Sequence, residues 1–362
     1  MSTEKREFYI VTRFEEELAN EFGKAYCCFT GSGSTAIYLL LNAIDKRSQK
    51  VLFPATTCMA PINSAIYAGY EPIFCDVNLD DQTMNVDSLE RMLDAYDVGV
   101  VVPIHLYGHV ADIASITRVA KNKTADIFVL EDCAQYVRCG TADASILSFG
   151  HTKIFESGGG GGALLTNDET LYEKVTAEKN NLHTVRDYTE VKVRFENYRK
   201  KYYSIKNLPK EEQNQRLLSL QMESKDTFIY NLGEPLQILS ILKNKKKIAE
   251  RRNAKADLYR SHLKHPLISP SPVGKDDVCW RYSFLFLGNR DSFVEKVRKS
   301  GIDISTWYEA MYKFYSDQDD ALFGNANLIE RHVVNLWVDE SKTKSEIRKD
   351  IDKLVSIAQE SL

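Results

Sequence analysis

The stretch SFGHTKIFESGGGGGALLTN, residues 148–167, decides how this chain is read. Lys153 stands five residues after Ser148 and shortly before five consecutive glycines, Gly158 to Gly162. Apolar strand candidates at 145–149 and 163–166 flank the run closely, which disfavours a flexible linker. No Gly-Lys-Ser/Thr ends the run, so it is not a Walker-type phosphate loop. The glycines let backbone pass close to a bulky ligand, or take positive φ. Taken singly, Lys153 reads as a solvated side chain. A serine before it and a glycine run after it make it a candidate for chemistry.

Working outward, strand candidates at 25–29, 50–53, 72–77, 100–102 and 126–130 alternate with helix candidates at 36–44, 57–68, 86–96 and 113–120. That alternation predicts an α/β domain with a largely parallel sheet. Ligands of such sheets sit at the carboxyl ends of the strands. Asp132 and Gln135 follow one strand, and Ser148 and Lys153 follow another. A carboxylate at the end of a buried strand is costly unless it meets a cation, such as the protonated ring nitrogen of a cofactor. The other reading of Asp132 is a helix N-cap. Residues 31–36, GSGSTA, form a strand-to-helix turn of glycines and hydroxyls, which is either an anion site or a plain cap.

Residues 170–227 contain no glycine and a single proline, Pro209, and read as helices and a surface excursion. A long helix over about 235–262 leads to a smaller α+β domain. Its elements are a strand at 280–287, a helix at 292–300, a strand at 333–338 and a helix at 342–360. The expected division is a large domain over 12–240 and a smaller one over 241–362.

The 362 residues carry a formal net charge of −4, which argues against a nucleic-acid partner. The run Lys243–Lys247 with Arg251 and Arg252 reads as the solvated face of a helix, with a phosphate-binding patch as the alternative. Residues 1–10 lack an apolar signal core, and no stretch is apolar enough to span a bilayer. Seven scattered cysteines fit reduced thiols in a cytoplasm. No metal site is expected, because His105 and His109 have no cysteine pair near them.

Together these segments resemble the DegT/DnrJ/EryC1/StrS family of sugar aminotransferases, with the aspartate-aminotransferase-like fold. The resemblance runs from about residue 12 to 355. It rests on Gly33 to Ile37, Pro54 to Thr57 with Ala68 and Gly69, and Pro103 to Gly108. It continues through Glu131 to Gln135, Ser148 to Lys153 and the glycine run. Gly301 with Ile302, Trp307 with Tyr308, and Asn335 with Leu336 give weaker support.

The resemblance implies a fold type I transferase. Its seven-stranded, mostly parallel sheet lies between helices, and a smaller C-terminal α+β domain follows. The implied cofactor is pyridoxal 5'-phosphate, held by Lys153 as a Schiff base. Asp132 would keep the ring nitrogen protonated, and Gln135 would lie beside the ring oxygen. Gly33, Ser34, Thr35 and Ser148 would bind the phosphate, and Cys58 takes the position over the ring. Asn231 matches an asparagine that reaches the neighbouring subunit's phosphate, which implies a homodimer with shared sites. The expected reaction moves an amino group from glutamate or glutamine to a keto group of a nucleotide-linked sugar.

Three departures bear on the acceptor. The family usually has an aromatic residue at Cys58, an arginine just after the Asn231 position, where Gly233 and Glu234 stand, and a proline at Trp337. A smaller phosphorylated ketone therefore stays open as acceptor. The alternatives on this scaffold are a dehydratase or epimerase, and a non-catalytic cofactor binder. Relatives that dehydrate carry histidine in place of the lysine, and Lys153 is kept. His151 reads as a locally packed residue. Arg281 and Arg331 are conceivable carboxylate or phosphate anchors without motif support.

Overall fold

The computed structural model describes residues 3–45, 47–232 and 238–361. Helix α1 (Thr3–Phe22) leads into β1 (Tyr26–Thr30), and helices and strands then follow in turn. They are α2 (Gly33–Ala43), β2 (Lys50–Pro54), α3 (Met59–Tyr67), β3 (Glu71–Cys75), α4 (Val86–Ala95) and β4 (Val100–Val101). After α5 (Ile113–Lys123) come three strands, β5 (Phe128–Asp132), β6 (Ala144–Ser148) and β7 (Gly162–Thr166). Side chains that offer their own caps start several helices: Ser32 caps α2, Asn85 caps α4 and Asp112 caps α5.

The seven strands form one sheet in the order β1-β7-β6-β5-β4-β2-β3. Strand β7 is antiparallel to both its neighbours, and the other pairs are parallel. Val51, Leu52 and Phe53 are all fully buried, as expected for a strand covered on both faces. The α/β reading and the mostly parallel sheet are observed. Because β7 alone runs backwards, β1, β2, β4, β5 and β6 all end at one edge.

The excursion follows. Helix α6 (Glu169–Lys179) precedes β8 (Thr184–Val185), α7 (Tyr188–Lys206), α8 (Lys210–Glu223), α9 (Lys225–Phe228) and β9 (Asn231–Leu232). Helix α8 packs on α7 and across α3. The expected helix over 235–262 is two helices, α10 (Ile238–Leu242) and α11 (Lys245–His262), and its expected start at 235–237 lies outside the described residues. The break falls at Asn244, whose side chain turns back to the Ser240 carbonyl at 3.2 Å and so competes with helical bonding.

The basic run is not one solvated face. Lys245 pairs with Glu21 at 2.5 Å, and buried Arg252 donates to the Trp280 carbonyl at 2.9 Å.

The remaining elements are β10 (Ile268–Pro270), β11 (Tyr282–Phe286), α12 (Arg290–Lys299), β12 (Ile304–Ser305), α13 (Tyr312–Tyr315), α14 (Gly324–His332), β13 (Val333–Leu336) and α15 (Lys344–Gln359). Their antiparallel sheet has the order β10-β11-β13-β12 and a core of its own around Phe284, Phe293 and Leu354. Residues 308–312 leave it and join the core of the large sheet, where the Met311 N–H donates to the Ala55 carbonyl at 2.7 Å. That return brings Tyr308 to the edge where the large strands end.

Candidate active site

The turn after β1 and the end of β6 meet. A Cβ on Gly33 would lie 3.1 Å from the Ser148 Cβ. Ser32 caps α2 by accepting from the Thr35 N–H at 3.0 Å. Ser34 and Ser148 are half-buried, and neither hydroxyl has a partner among the described residues. Two free hydroxyls beside a helix N-terminus are groups that an anion can use.

The glycine run serves this turn. A Cβ on Gly162 would lie 2.2 Å from the Ser32 carbonyl carbon, and Gly160 and Gly161 have φ of +73° and +112°. Both reasons for glycine therefore apply, but the close approach is to the protein's own backbone.

The Thr35 hydroxyl, expected on phosphate, is engaged within the protein. It is fully buried, accepts from the Tyr230 N–H at 3.1 Å, and lies 3.0–3.1 Å from the Tyr230 and Phe228 carbonyls. A hydroxyl so engaged fastens residues 228–230 to the first turn of α2. Asn231 pairs with Thr184 in the two-residue ladder, and its buried Oδ1 has no partner.

At the end of β5, the Asp132 carboxylate is buried and accepts from the Ala134 N–H at 2.8 Å. Burial raises its pKa, against the pull of that N–H and of nearby Lys153. Its other oxygen takes no hydrogen bond from the described residues. The Lys153 amine is half-buried and also without a partner among them. Cys58 precedes α3, and burial raises its thiol while Lys153 lowers it. Lys153 thus acts on both Asp132 and Cys58. Gln135 is more engaged than expected: its Oε1 accepts from the Tyr107 N–H at 2.8 Å, and its Nε2 donates to the Tyr308 hydroxyl at 3.0 Å.

Behind Asp132 lies a closed polar network. His105 Nδ1 accepts from the Ala111 N–H at 3.0 Å, which leaves Nε2 to donate to Glu131 at 2.8 Å. Glu131 also accepts from Ser145 and from the Gly140 N–H, at 2.7 Å each. Burial alone would raise the Glu131 carboxyl, but these donors hold it below its usual range. His105, Glu131 and Cys133 group their ligand atoms within 4.8 Å. Hydrogen bonds already occupy the His105 and Glu131 atoms, so the group reads as a brace for β5.

Sequence reasoning missed an aromatic wall. Tyr107, Trp280, Trp307 and Tyr308 stack at 5.9–6.5 Å between centroids. The Trp280 Nε1–H donates to the Thr152 carbonyl at 2.6 Å, beside Lys153.

It also missed the docking of the excursion. Buried Gln221 donates to the Tyr198 hydroxyl at 2.7 Å and accepts from Asn63 of α3 at 2.7 Å. Asn63 in turn accepts from the Tyr315 hydroxyl at 2.8 Å. Burial raises Tyr198 to about 12, and it lies close enough to feel the Cys58 thiol. Lys206 pairs with Glu309 at 2.8 Å. The only local signal was the tyrosine density of residues 188–203. His151 is exposed and pairs with Glu156 at 2.9 Å, and Arg331 is an exposed residue of α14.

A lysine amine, a buried carboxylate and a hydroxyl-lined helix end at one sheet edge define a group-transfer enzyme of the α/β class. The chain belongs to the DegT/DnrJ/EryC1/StrS aminotransferase family, whose sequence pattern matches residues 7–221. It is an aminotransferase of that family. It is 29% identical to GDP-perosamine synthase of Escherichia coli O157:H7 over 73% of this chain and 76% of that protein. It is 27% identical to dTDP-3-amino-3,6-dideoxy-alpha-D-galactopyranose transaminase of Aneurinibacillus thermoaerophilus over 94% of this chain and 88% of that one. Among solved structures, DesV of S. venezuelae superposes with a TM-score of 0.74 at 20% identity, covering 99% of this chain and 90% of that one.

Proposed function

We propose that this aminotransferase uses pyridoxal 5'-phosphate bound to Lys153, and moves an amino group from glutamate to a keto group of a nucleotide-linked sugar. One observation carries the reading: Lys153, Asp132, Ser34 and Ser148 converge, and each offers a group that the described residues leave free. That donor set fits the cofactor. Ser34, Ser148 and the α2 N-terminus suit its phosphate, the free oxygen of Asp132 suits a protonated ring nitrogen, and the Lys153 amine suits its aldehyde. The bound cofactor supplies an electron sink for the carbon that loses its proton.

The residues of this chain do the rest. Ser34, Ser148 and the first turn of α2 bind and orient at one end. Asp132 would hold a proton on the ring nitrogen: burial raises its carboxyl, the Ala134 N–H pulls the other way, and a protonated nitrogen would supply the cation its free oxygen lacks. Once its amine is free, Lys153 would act as the base that takes the α-proton of the amino donor and, in the reverse sense, delivers a proton to the acceptor carbon. Tyr198 lies near Cys58, and the packing of α8 on α7 and α3 there would help keep water out. Cys58 itself has no ring to stack, and the tyrosines that lie close enough to feel its thiol are Tyr198, Tyr202, Tyr308 and Tyr315.

The relatives' names support a sugar nucleotide acceptor. The seven cysteines are unpaired, which suits a cytoplasmic setting. Among the described residues no helix is long and apolar enough to cross a membrane. Exposed Val193 and Tyr203 on α7, with Leu218 and Met222 on α8, support a homodimer that covers them. The unpartnered Asn231 Oδ1 supports sites shared across it.

The test is an absorbance spectrum with pyridoxal phosphate, before and after glutamate, for wild type and Lys153→Ala. Wild type should show a visible lysine–cofactor band that bleaches as 2-oxoglutarate forms, and the variant should show none. Absence of the band from wild type would sink the reading.

A further inference from the structure

Arg281 is a buried cation in ion-pair contact with no carboxylate of the described residues, although Asp303 and Asp339 lie near enough to act on it. It is 1% exposed, and its Nη1 donates to the Ser305 hydroxyl at 2.5 Å. Its Nε and Nη2 are buried without partners, and no carboxylate pairs with it among the described residues. Its faces are taken by indoles, with the guanidinium carbon 3.5 Å from the Trp337 ring centroid, 4.5 Å from Trp280 and 4.6 Å from Trp307. These are all three tryptophans of the chain.

Indole faces offset only part of the penalty for burying a charge, and neutralising partners normally supply the rest. Burial pulls Arg281 down to about 10, so it stays protonated at neutral pH. Nε and Nη2 share one in-plane edge of the guanidinium, the edge that matches the two oxygens of a carboxylate. The position is telling as well. Trp280, adjacent in sequence, bonds the carbonyl of Thr152, one residue before Lys153, and stacks on Tyr107 and Tyr308 of the site wall. Arg281 therefore stands one aromatic layer from the lysine.

We propose that Arg281 anchors a carboxylate of the amino donor through its free Nε–Nη2 edge, an assignment that rests on the aminotransferase reading. A planar carboxylate matches that two-donor edge between stacked indoles. A nucleotide diphosphate is too large for an enclosure this closed, and a phosphate would ask for more donors than the edge supplies. Seating the anion requires Trp307 or Trp337, both half-buried, to give way. Tryptophan fluorescence therefore reports occupancy directly, without turnover.

The experiment uses the full chain loaded with pyridoxal phosphate. Glutarate, an unreactive dicarboxylate, is titrated while tryptophan fluorescence is followed, and bleaching of the visible band is measured against glutamate and against a carboxylate-free primary amine. Wild type should show a saturable glutarate signal, and inorganic phosphate at equal ionic strength should not. Arg281→Gln should weaken glutarate and glutamate roughly a hundredfold and leave the plain amine little changed. Arg281→Lys, which keeps charge and loses the fork, should fall between, and it carries the test if the glutamine variant does not fold.

Equal glutarate affinity in all three proteins, or an unchanged glutamate dependence in Arg281→Gln, would overturn the assignment and leave the aminotransferase reading standing. A saturable phosphate signal that competes with glutarate would also overturn it, in favour of a phosphate anchor. If wild type binds glutarate through Arg281 but bleaches with no amine at all, a carboxylate site at Arg281 remains, and its assignment to an amino donor falls with the transamination reading.

Discussion

The strand ends of the large sheet and the helices α7 and α8 hold their side chains by different means. Asp132 and Ser148 are the last residues of buried sheet strands, and Lys153 follows within a turn braced by the glycine run. Val191 is the only buried residue along α7, and α8 is held on α3 by Gln221 as much as by Leu217 and Leu220. The first region is fixed by apolar burial and backbone ladders, and the second by a few polar contacts. The rigid side suits groups that hold and move protons. The other side can differ between relatives without disturbing the chemistry, which suits a border that selects the acceptor.

The largest expected effect tests the rigid side. Asp132→Asn should cut turnover roughly a thousandfold while the fold survives, because an amide cannot hold the ring nitrogen protonated. Single-turnover bleaching with glutamate measures it, and a loss under tenfold would remove Asp132 from the chemistry. Gly162→Ala comes next. Its methyl would meet the Ser32 backbone, so thermal unfolding should report about 3 kcal/mol or more of destabilisation.

Gln221→Leu turns to the other side. It strips partners from Asn63 and Tyr198 and should cost about 2–3 kcal/mol. Hydrogen exchange should speed up across 188–223 and stay unchanged over 128–148. Equal acceleration in both would mean that the two regions are one cooperative unit, and the comparison would break.

Glu131 gives a pH test of the rigid side. Its folded pKa is depressed, so its contribution is present above the unfolded value of about 4.3 and is lost as pH falls through the folded value. The stability gap between wild type and Glu131→Gln should therefore be widest at neutral pH and narrow on acidification. The smallest effect belongs to the Lys206–Glu309 pair, each about one-quarter exposed. Lys206→Ala should cost about 0.2–1 kcal/mol, and added salt should erase the difference in a denaturant titration.

The same contrast explains what could be read in advance. Asp132, Ser148 and Lys153 sit within a few residues of apolar runs whose spacing marks the strands, so local sequence placed them. The break at Asn244 and the separate short helices were not visible, because apolar periodicity does not register a side chain that turns back on its own backbone. Thr35 looked like a ligand for an anion, and its actual partners lie 193 and 195 positions away. The Gln221–Asn63 bond spans 158 positions, and nothing in residues 210–223 announces it. Arg281 carried no motif, and its meaning lies in three tryptophans that only the fold assembles.

The pairing of β1 with β7 has a consequence for the making of the protein. Tyr26 lies opposite Thr166, and Thr30 opposite Gly162. At about 5–20 residues per second, the ribosome needs roughly 7–30 s to supply the partner strand. Through that interval Cys27, Cys28 and Phe29 have no ladder to join, and the turn at Gly31–Ser34 has no Gly162 to rest against. The turn at Gly31–Ser34 is therefore the last piece of the large sheet to close. A released chain that ended before Gly162 could pair β5 with β6 and still lack that support for the turn.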